Sequence, residues 1–233
     1  MISLAAAALF LVLSHFLIAS APLRSRLVGW LGESRYFAFY SALTLAAFAW
    51  LVVSYLRAPT LVLWEMPPWV KALVLPVALV GSILIAAGLS TPNPVIGRQG
   101  HLFDQAGIVR GILRVSRNPF FWGAGLLSLA LMIVLGDIAA LLAFGSIAVL
   151  GIVGSFVLDA KKSRQHKEAW HAFAAATSNV PFVAIMSRRQ RLSIREIGSR
   201  RLASGFGVLL VVLSILFAPT SFLVAKMVRY ACG

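Results

Sequence analysis

Residues 138–158 read IAALLAFGSIAVLGIVGSFVL, an apolar run without one charged side chain. At about 1.5 Å of rise per residue, a helix of this length spans the hydrocarbon core of a bilayer, which is about 30 Å thick. Five more runs of this kind occur along the chain, at residues 2–20, 37–55, 72–89, 120–135 and 202–225. The pattern predicts an all-α integral membrane protein with about six transmembrane helices.

The amino-acid composition agrees with that fold class. Of the 233 residues, 60% are hydrophobic and 12% are charged, and the mean hydropathy is +0.91. Soluble globular domains carry about 25% charged residues, so the class of soluble domains is excluded. The single cysteine, Cys232, excludes an intrachain disulfide and a metal cluster built on cysteine thiolates.

The basic residues predict the orientation in the membrane. The chain carries 21 Lys and Arg, and 17 of them lie in the first, third and fifth connections between the apolar runs. Because Lys and Arg concentrate on the cytoplasmic side of membrane proteins, these connections are predicted to be cytoplasmic and both termini to lie on the opposite side. Orientation thus accounts for the net charge of +14, and no nucleic-acid partner is expected.

The fifth connection, residues 159–201, is long enough to hold structure of its own. Trp170, Phe173 and Ala174 recur at helical spacing, which predicts a helix lying at the cytoplasmic interface of the membrane. The second half of the connection is strongly basic. Besides the bilayer itself, anionic lipid is the predicted partner of this basic half.

His15 is an ionisable side chain inside the first apolar run, about one helical turn from its cytoplasmic end. Polar groups cost free energy in the hydrocarbon region, so such a residue needs a partner and often has a function. Two interpretations stay open: a neutral imidazole hydrogen-bonded to a neighbouring helix, or a ligand to a cofactor or substrate. A haem iron takes this same neutral imidazole, which makes His15 the candidate metal ligand.

Arg117-Asn118-Pro119 opens the fourth apolar run from the cytoplasmic side. Proline suits a first helical turn, because the missing N–H needs no partner there. Helix starts attract anions and Arg117 adds a positive charge, so this residue is a candidate to bind an anionic group such as a haem propionate. The predicted topology places His15 and Arg117 at the same face of the membrane, where one polar site between helices can hold both.

More polar residues follow the fifth apolar run. Asp159 is expected to cap its helix or to pair with Lys162. On one continuous helix His166 and His171 diverge by about 140°, which makes them a poor metal pair. These two histidines are therefore interpreted as facing solvent.

The chain resembles the NnrU family of bacterial membrane proteins, which includes the 15-cis-zeta-carotene isomerases. The likeness covers roughly residues 1–185, so that residues 186–201 form an added basic cytoplasmic segment and residues 202–233 an additional transmembrane helix with a short tail. The motifs that carry the likeness include Ser14-His15-Phe16, Tyr40-Ser41-Ala42-Leu43, Arg117-Asn118-Pro119, Gly136-Asp137 and the segment from Thr177 to Phe182.

The resemblance implies a multi-pass protein of the bacterial inner membrane, linked to nitrite and nitric oxide metabolism in denitrification. It implies either a haem-b-dependent membrane enzyme of the isomerase type or a non-enzymatic accessory factor with a respiratory enzyme as partner. The family's usual Arg-His-Pro stands here as Arg117-Asn118-Pro119, and asparagine is not a normal haem ligand, which leaves His15 as the one histidine in the apolar runs. The residues expected to form the cofactor site are His15, Arg117, Asn118, Trp170 and Asn179.

A rival resemblance uses the same residues. Arg-Asn-Pro followed by an aromatic residue and glycine also resembles the isoprenylcysteine and phospholipid methyltransferases, whose cytoplasmic site binds S-adenosylmethionine. Those enzymes carry a Gly-Glu-x-Tyr type segment where residues 167–173 of this chain read KEAWHAF. The missing glycine and tyrosine weaken the expectation of catalysis more than that of the fold. Proton-coupled transport is excluded, because the seven acidic residues supply no buried carboxylate relay.

Overall fold

The computed structural model describes residues 1–97, 99–105 and 107–217. Regular secondary structure in these ranges is helical throughout, and two 3₁₀ turns, Gln99–Asp104 and Gly111–Arg114, lie between the fourth and fifth helices. In chain order the helices are α1 (Ile2–Ala19), α2 (Ala21–Leu31), α3 (Glu33–Arg57), α4 (Pro68–Ser90), α5 (Pro119–Leu135), α6 (Ile138–Ala176), α7 (Val183–Met186), α8 (Ile194–Ile197) and α9 (Ser199–Phe217).

The long helices match the apolar runs of the sequence. Four of them, α1, α3, α4 and α6, are long and apolar enough to cross a membrane, and α5 is apolar but shorter. These five helices coincide with the first five apolar runs. Helix α9 covers the beginning of the sixth run, whose remainder, residues 218–225, lies outside the described residues, as does Cys232.

The first connection is itself helical, which the hydropathy pattern did not predict. Helix α2 follows α1 directly and carries Pro22 in its first turn, where proline needs no hydrogen-bond partner. Gly32, at φ +76°, ends α2 in a backbone conformation that costs glycine little. The chain can therefore turn at once into α3, which packs against α1.

Neighbouring helices pack in the order α3, α1, α6, α5, α4 and α9. At the contact of α4 with α5 the two backbones touch, since a Cβ atom on Gly123 would lie 2.6 Å from the carbonyl oxygen of Gly81 and 2.6 Å from the backbone nitrogen of Ile85. Small residues let apolar helices approach closely, which is how helices associate where lipid removes the hydrophobic drive between them. Glycine therefore sets the spacing of α4 and α5.

Helix α6 runs well past the fifth apolar run and is broken by non-helical backbone at Lys167 (φ 31°, ψ −104°). The predicted interfacial helix is the part of α6 beyond this break. Its apolar face is covered by protein, because Trp170 and Phe173 pack with Val95 and Phe103 and Trp170 is only 5% exposed. Trp170 is thus a core residue and not the interfacial anchor that the sequence predicted.

The basic segment between α6 and α9 is docked on the bundle of long helices through Glu196. The Arg114 guanidinium donates to both carboxylate oxygens of Glu196, at 2.8 and 3.0 Å, and the backbone N–H of Gly111 donates to one of them at 2.9 Å. These donors hold the pKa of Glu196 below its usual range. Because the carboxylate stays charged at neutral pH, the segment remains attached next to the 3₁₀ turn before α5.

Candidate functional site

A cleft of about 910 Å³ lies where α1 ends and α3 begins. Its walls come from α1, α2, α3, α6, the first turn of α5 and the connection that follows α4. Clefts that bind small molecules usually measure about 300–1,000 Å³, so the cleft can hold a substantial ligand. In the orientation predicted from the basic residues, this end of the bundle faces the cytoplasm.

His15 lines the cleft from α1 and has a partner on α3. The Tyr40 hydroxyl lies 2.9 Å from Nδ1 and 3.0 Å from Nε2 of the imidazole. A neutral imidazole carries one N–H and one nitrogen with a lone pair, and a hydroxyl can accept or donate. In the tautomer whose N–H donates to the Tyr40 hydroxyl, the other ring nitrogen keeps the lone pair that a metal or substrate needs. A hydrogen bond of this kind orients an imidazole that binds metal or substrate through its second nitrogen.

Tyr40 was not singled out for this role in the sequence, although a signal for it exists. His15 stands about one turn before the end of the first apolar run, and Tyr40 about one turn into the next. Two adjacent spans joined by a short connection run in opposite directions, so these two residues reach a similar depth. Matching the depth of polar residues across a connection would have found the pair.

The cleft is basic on one side. Among the described residues, Arg24, Lys161 and Lys162 line it together with the acid Glu33, which accepts a hydrogen bond from Arg24 at 3.3 Å. Lys162 is only 6% exposed, and its ammonium donates to the carbonyl oxygen of Gly97 at 3.2 Å. From the sequence these cations served to predict orientation, and Lys162 was also a candidate partner of Asp159. The fold instead gathers all three around one cleft.

Two more histidines reach the cleft. His101 comes from the first 3₁₀ turn and His166 from α6, where the His166 ring lies 4.8 Å from that of Phe103. The interpretation of His166 as facing solvent is therefore wrong, while His171 is exposed as predicted. In the described part of the chain, no three histidine, cysteine or acidic side chains come together as a metal site.

Arg117 and Asn118 lie outside the cleft, in a buried network around Asp159. The Arg117 guanidinium donates to Asp159 Oδ2 at 2.6 and 2.8 Å, and the side chains are only 14% and 13% exposed. The Asn118 amide donates to Oδ1 of the same carboxylate at 2.7 Å. Asp159 therefore neutralises Arg117, and the expectation that it caps its helix or pairs with Lys162 is wrong.

Asn179 and Trp170 belong to the same network. Asn179 Oδ1 accepts hydrogen bonds from the Asn118 amide at 3.2 Å and from the Trp122 indole at 2.9 Å. The Arg117 guanidinium lies 5.2 Å from the centre of the Trp170 ring, within the range of a cation–π contact. The network joins the start of α5 to the segment after α6.

The predicted site is thus divided in two. Arg117, Asn118, Trp170 and Asn179 come together in the buried network, and none of these four lines the cleft that holds His15. The network has the character of a structural joint, because its charges and most of its donors are satisfied internally. The cleft has the character of a binding site, since cations and imidazoles line one concave space of about 910 Å³.

Comparison with known proteins adds the family. No curated protein and no solved structure shows significant similarity to the chain. The sequence profile of the family described as NnrU protein matches residues 3–225. The match runs beyond residue 185, so it also covers the basic segment and the sixth apolar run. Because nearly the whole sequence is matched, the chain belongs to the NnrU family.

Proposed function

We propose that this protein is a six-span protein of the bacterial inner membrane that binds haem b in the cleft and serves nitrite or nitric oxide metabolism. The observation that carries the proposal is the position of His15, whose imidazole lines a cleft of about 910 Å³ and is oriented by Tyr40. The link to nitrogen-oxide metabolism rests on family membership.

The residues of the cleft fit a haem in three respects. His15 offers an imidazole, which in its neutral form binds iron through the nitrogen that carries no proton. Phe16, Phe37 and Phe121 line the same space and suit the apolar faces of a porphyrin. The basic side of the cleft suits the propionates, a role that the sequence assigned to Arg117. When bound, the haem would supply redox or isomerisation chemistry, while the protein orients it and shields it from water.

The geometry gives less support to an S-adenosylmethionine-dependent methyltransferase. In that interpretation Arg117 and Asn118 carry the cofactor site, but both side chains are engaged by Asp159 and lie outside the cleft. A ligand at Arg117 would have to displace a buried carboxylate, which costs several kcal/mol.

A non-enzymatic accessory role is the second candidate, and the surface of the basic segment favours it. Met186 is 80% and Ile194 60% exposed, and both stand among exposed arginines such as Arg188 and Arg191. Apolar side chains interleaved with cations suit the anionic lipid surface of the cytoplasmic leaflet. From that position the segment could also meet a respiratory enzyme in the same membrane.

The His15→Ala variant is expected to lose a haem spectrum that the wild-type protein shows. The full chain is purified in mild detergent from cells supplied with haem precursor, and its absorption is recorded with and without dithionite. Wild type should give a Soret band that shifts on reduction. His171→Ala is the matched control, because His171 is exposed and outside the cleft, and its spectrum should equal wild type.

A colourless wild-type protein would rule out the haem proposal. A Soret band that survives in His15→Ala would leave haem binding but remove His15 as the ligand. If the colourless protein instead copurifies with a respiratory enzyme, the accessory role replaces the proposed one.

The proposed orientation predicts the outcome of reporter fusions. A reporter that works only in the periplasm should be inactive when fused after Ser187, in the basic segment between α7 and α8. The same reporter fused after Thr60, between α3 and α4, is the matched control and should be active. The reverse pattern would overturn the orientation drawn from the basic residues.

A further inference from the structure

We propose that Lys162 is the centre of an anion subsite in the cleft, which takes the carboxylate or phosphate headgroup of an amphipathic ligand. The inference rests on the proposed function in using the same cleft, and it names the class of ligand that the cleft selects. Its basis is the burial of Lys162, the charges around it and the apolar side chains that share the cleft.

Lys162 is a buried cation for which the described residues supply no compensating negative charge. The side chain is 6% exposed and lines the cleft. Among the described residues its ammonium has one hydrogen-bond acceptor, the carbonyl oxygen of Gly97 at 3.2 Å, and no carboxylate within ion-pair distance. An ammonium has three donors, and a buried charge is costly unless it is paired. A bound anion would supply the missing charge and acceptors.

The neighbouring groups increase the positive potential. Lys161 and Arg24 line the same cleft, and among the described residues the acid that lines it, Glu33, is engaged with Arg24. The three histidines that line the cleft, His15, His101 and His166, carry no negative charge in either protonation state. Repulsion between like charges raises the free energy of the folded protein. A bound anion offsets this repulsion, so its binding should stabilise the folded protein.

The rest of the cleft suits an apolar body. Phe16 on α1, Phe37 on α3 and Phe121 on α5 line it, and these helices are candidate spans or apolar helices. A ligand with an acidic head and an apolar body can therefore satisfy Lys162 and remain beside the hydrocarbon region. Two sources share this chemistry, the propionates of haem and the headgroup of a lipid-like acid.

The test compares acids with their esters, which keep the apolar body and lose the charge. The detergent-purified full chain is titrated with haem b and its dimethyl ester by Soret absorption. It is titrated in parallel with a fluorescent polyene fatty acid and its methyl ester by fluorescence. The variants are Lys162→Met and Lys162→Leu, which remove the charge, and Lys162→Arg, which retains it. Lys71→Met is the matched control, because Lys71 lies on α4 outside the cleft.

The preference for acid over ester should be about tenfold larger in wild type than in the two neutral variants, the size of a charge-assisted hydrogen bond. Each ligand partitions into detergent to the same extent whichever variant is present. The comparison with the neutral variants therefore removes the contribution of partition. Lys162→Arg should restore most of the preference, and Lys71→Met should equal wild type.

The outcomes separate the subsite from the haem proposal. A Lys162-dependent preference for haem b over its ester assigns the subsite to propionates. If the protein binds no haem and the Lys162-dependent preference is seen only for the fatty acid over its ester, the subsite is supported and the haem function is ruled out. An equal preference in wild type and both neutral variants for both ligand pairs overturns the subsite. In that case a Soret band that depends on His15 would still support haem.

Discussion

Replacing Asp159 by alanine is expected to lower the free energy of unfolding by about 3 kcal/mol. Asp159 accepts two hydrogen bonds from Arg117 and one from Asn118 in surroundings that are largely closed to solvent. Without the carboxylate, the guanidinium remains buried and uncompensated, which is the costly half of breaking a buried ion pair. Thermal unfolding in detergent, followed by circular dichroism, measures the loss.

Two matched variants separate burial from the ion pair itself. Glu33→Ala removes the partner of Arg24 at a more exposed site, where Glu33 is 51% exposed, and should cost less than about 1 kcal/mol. The double variant Arg117→Leu with Asp159→Leu should recover part of the loss, because neither charge remains. A melting curve of Asp159→Ala no lower than that of Glu33→Ala would contradict the assignment.

The variant Gly123→Ala is expected to destabilise the protein by about 2–3 kcal/mol, although it adds one methyl group. The new Cβ would lie 2.6 Å from the oxygen of Gly81 and 2.6 Å from the nitrogen of Ile85. Both are backbone atoms, so no side chain can rotate away and α4 must move from α5. The melting temperature and the yield of monodisperse protein in detergent report the effect.

Gly29→Ala is the matched control for this prediction. Gly29 is also helical, in α2, but a Cβ there would meet no atom within 4 Å. Alanine is the better helix former by about 1 kcal/mol, so this variant should equal or slightly exceed wild type in stability. If Gly123→Ala melted together with Gly29→Ala, the close contact of α4 with α5 would not determine stability.

The two predictions also bear on the cleft. Gly123 lies in the second turn of α5, shortly after Asn118 and Phe121. Asn118 ties the start of α5 to Asp159 on α6, and Phe121 lines the cleft. A shift of α5 would therefore disturb both the network and a wall of the cleft. Variants at Asp159 or Gly123 should therefore change ligand binding indirectly. Stability must be measured alongside binding, so that such indirect effects are recognised.

The positions of the long apolar helices could be predicted from the sequence. The first five apolar runs coincide with α1, α3, α4, α5 and α6 to within a few residues, apart from the extension of α6 beyond residue 158. Hydropathy is a local property, and each apolar helix satisfies its backbone hydrogen bonds within its own segment. Helix α2 was missed because basic residues stand among its apolar residues, so it does not form an apolar run. Its boundaries depend on Pro22 and Gly32 rather than on hydropathy.

The candidate site could be predicted only in part. His15 was found because an ionisable side chain inside an apolar run costs free energy unless it has a partner. The structure gives it a partner on α3, Tyr40. The partner of Asp159 could not be found, because Arg117 is distant in sequence and the nearer Lys162 was the obvious choice. Trp170 was placed at the interface because an amphipathic ring suits both a headgroup layer and a covered core.

The sequence by itself determined the fold class, the places where the chain enters apolar surroundings, the distribution of positive charge and the family. Only the tertiary structure decided which side chains meet, so that Arg117 joins Asp159 and Lys162 is buried beside the cleft. The physical reason is that helices in lipid are apolar on nearly every side, so the hydropathy pattern does not mark the face that packs. That face is decided by close contacts such as Gly123 on Gly81, and small-residue packing is a property of two helices together.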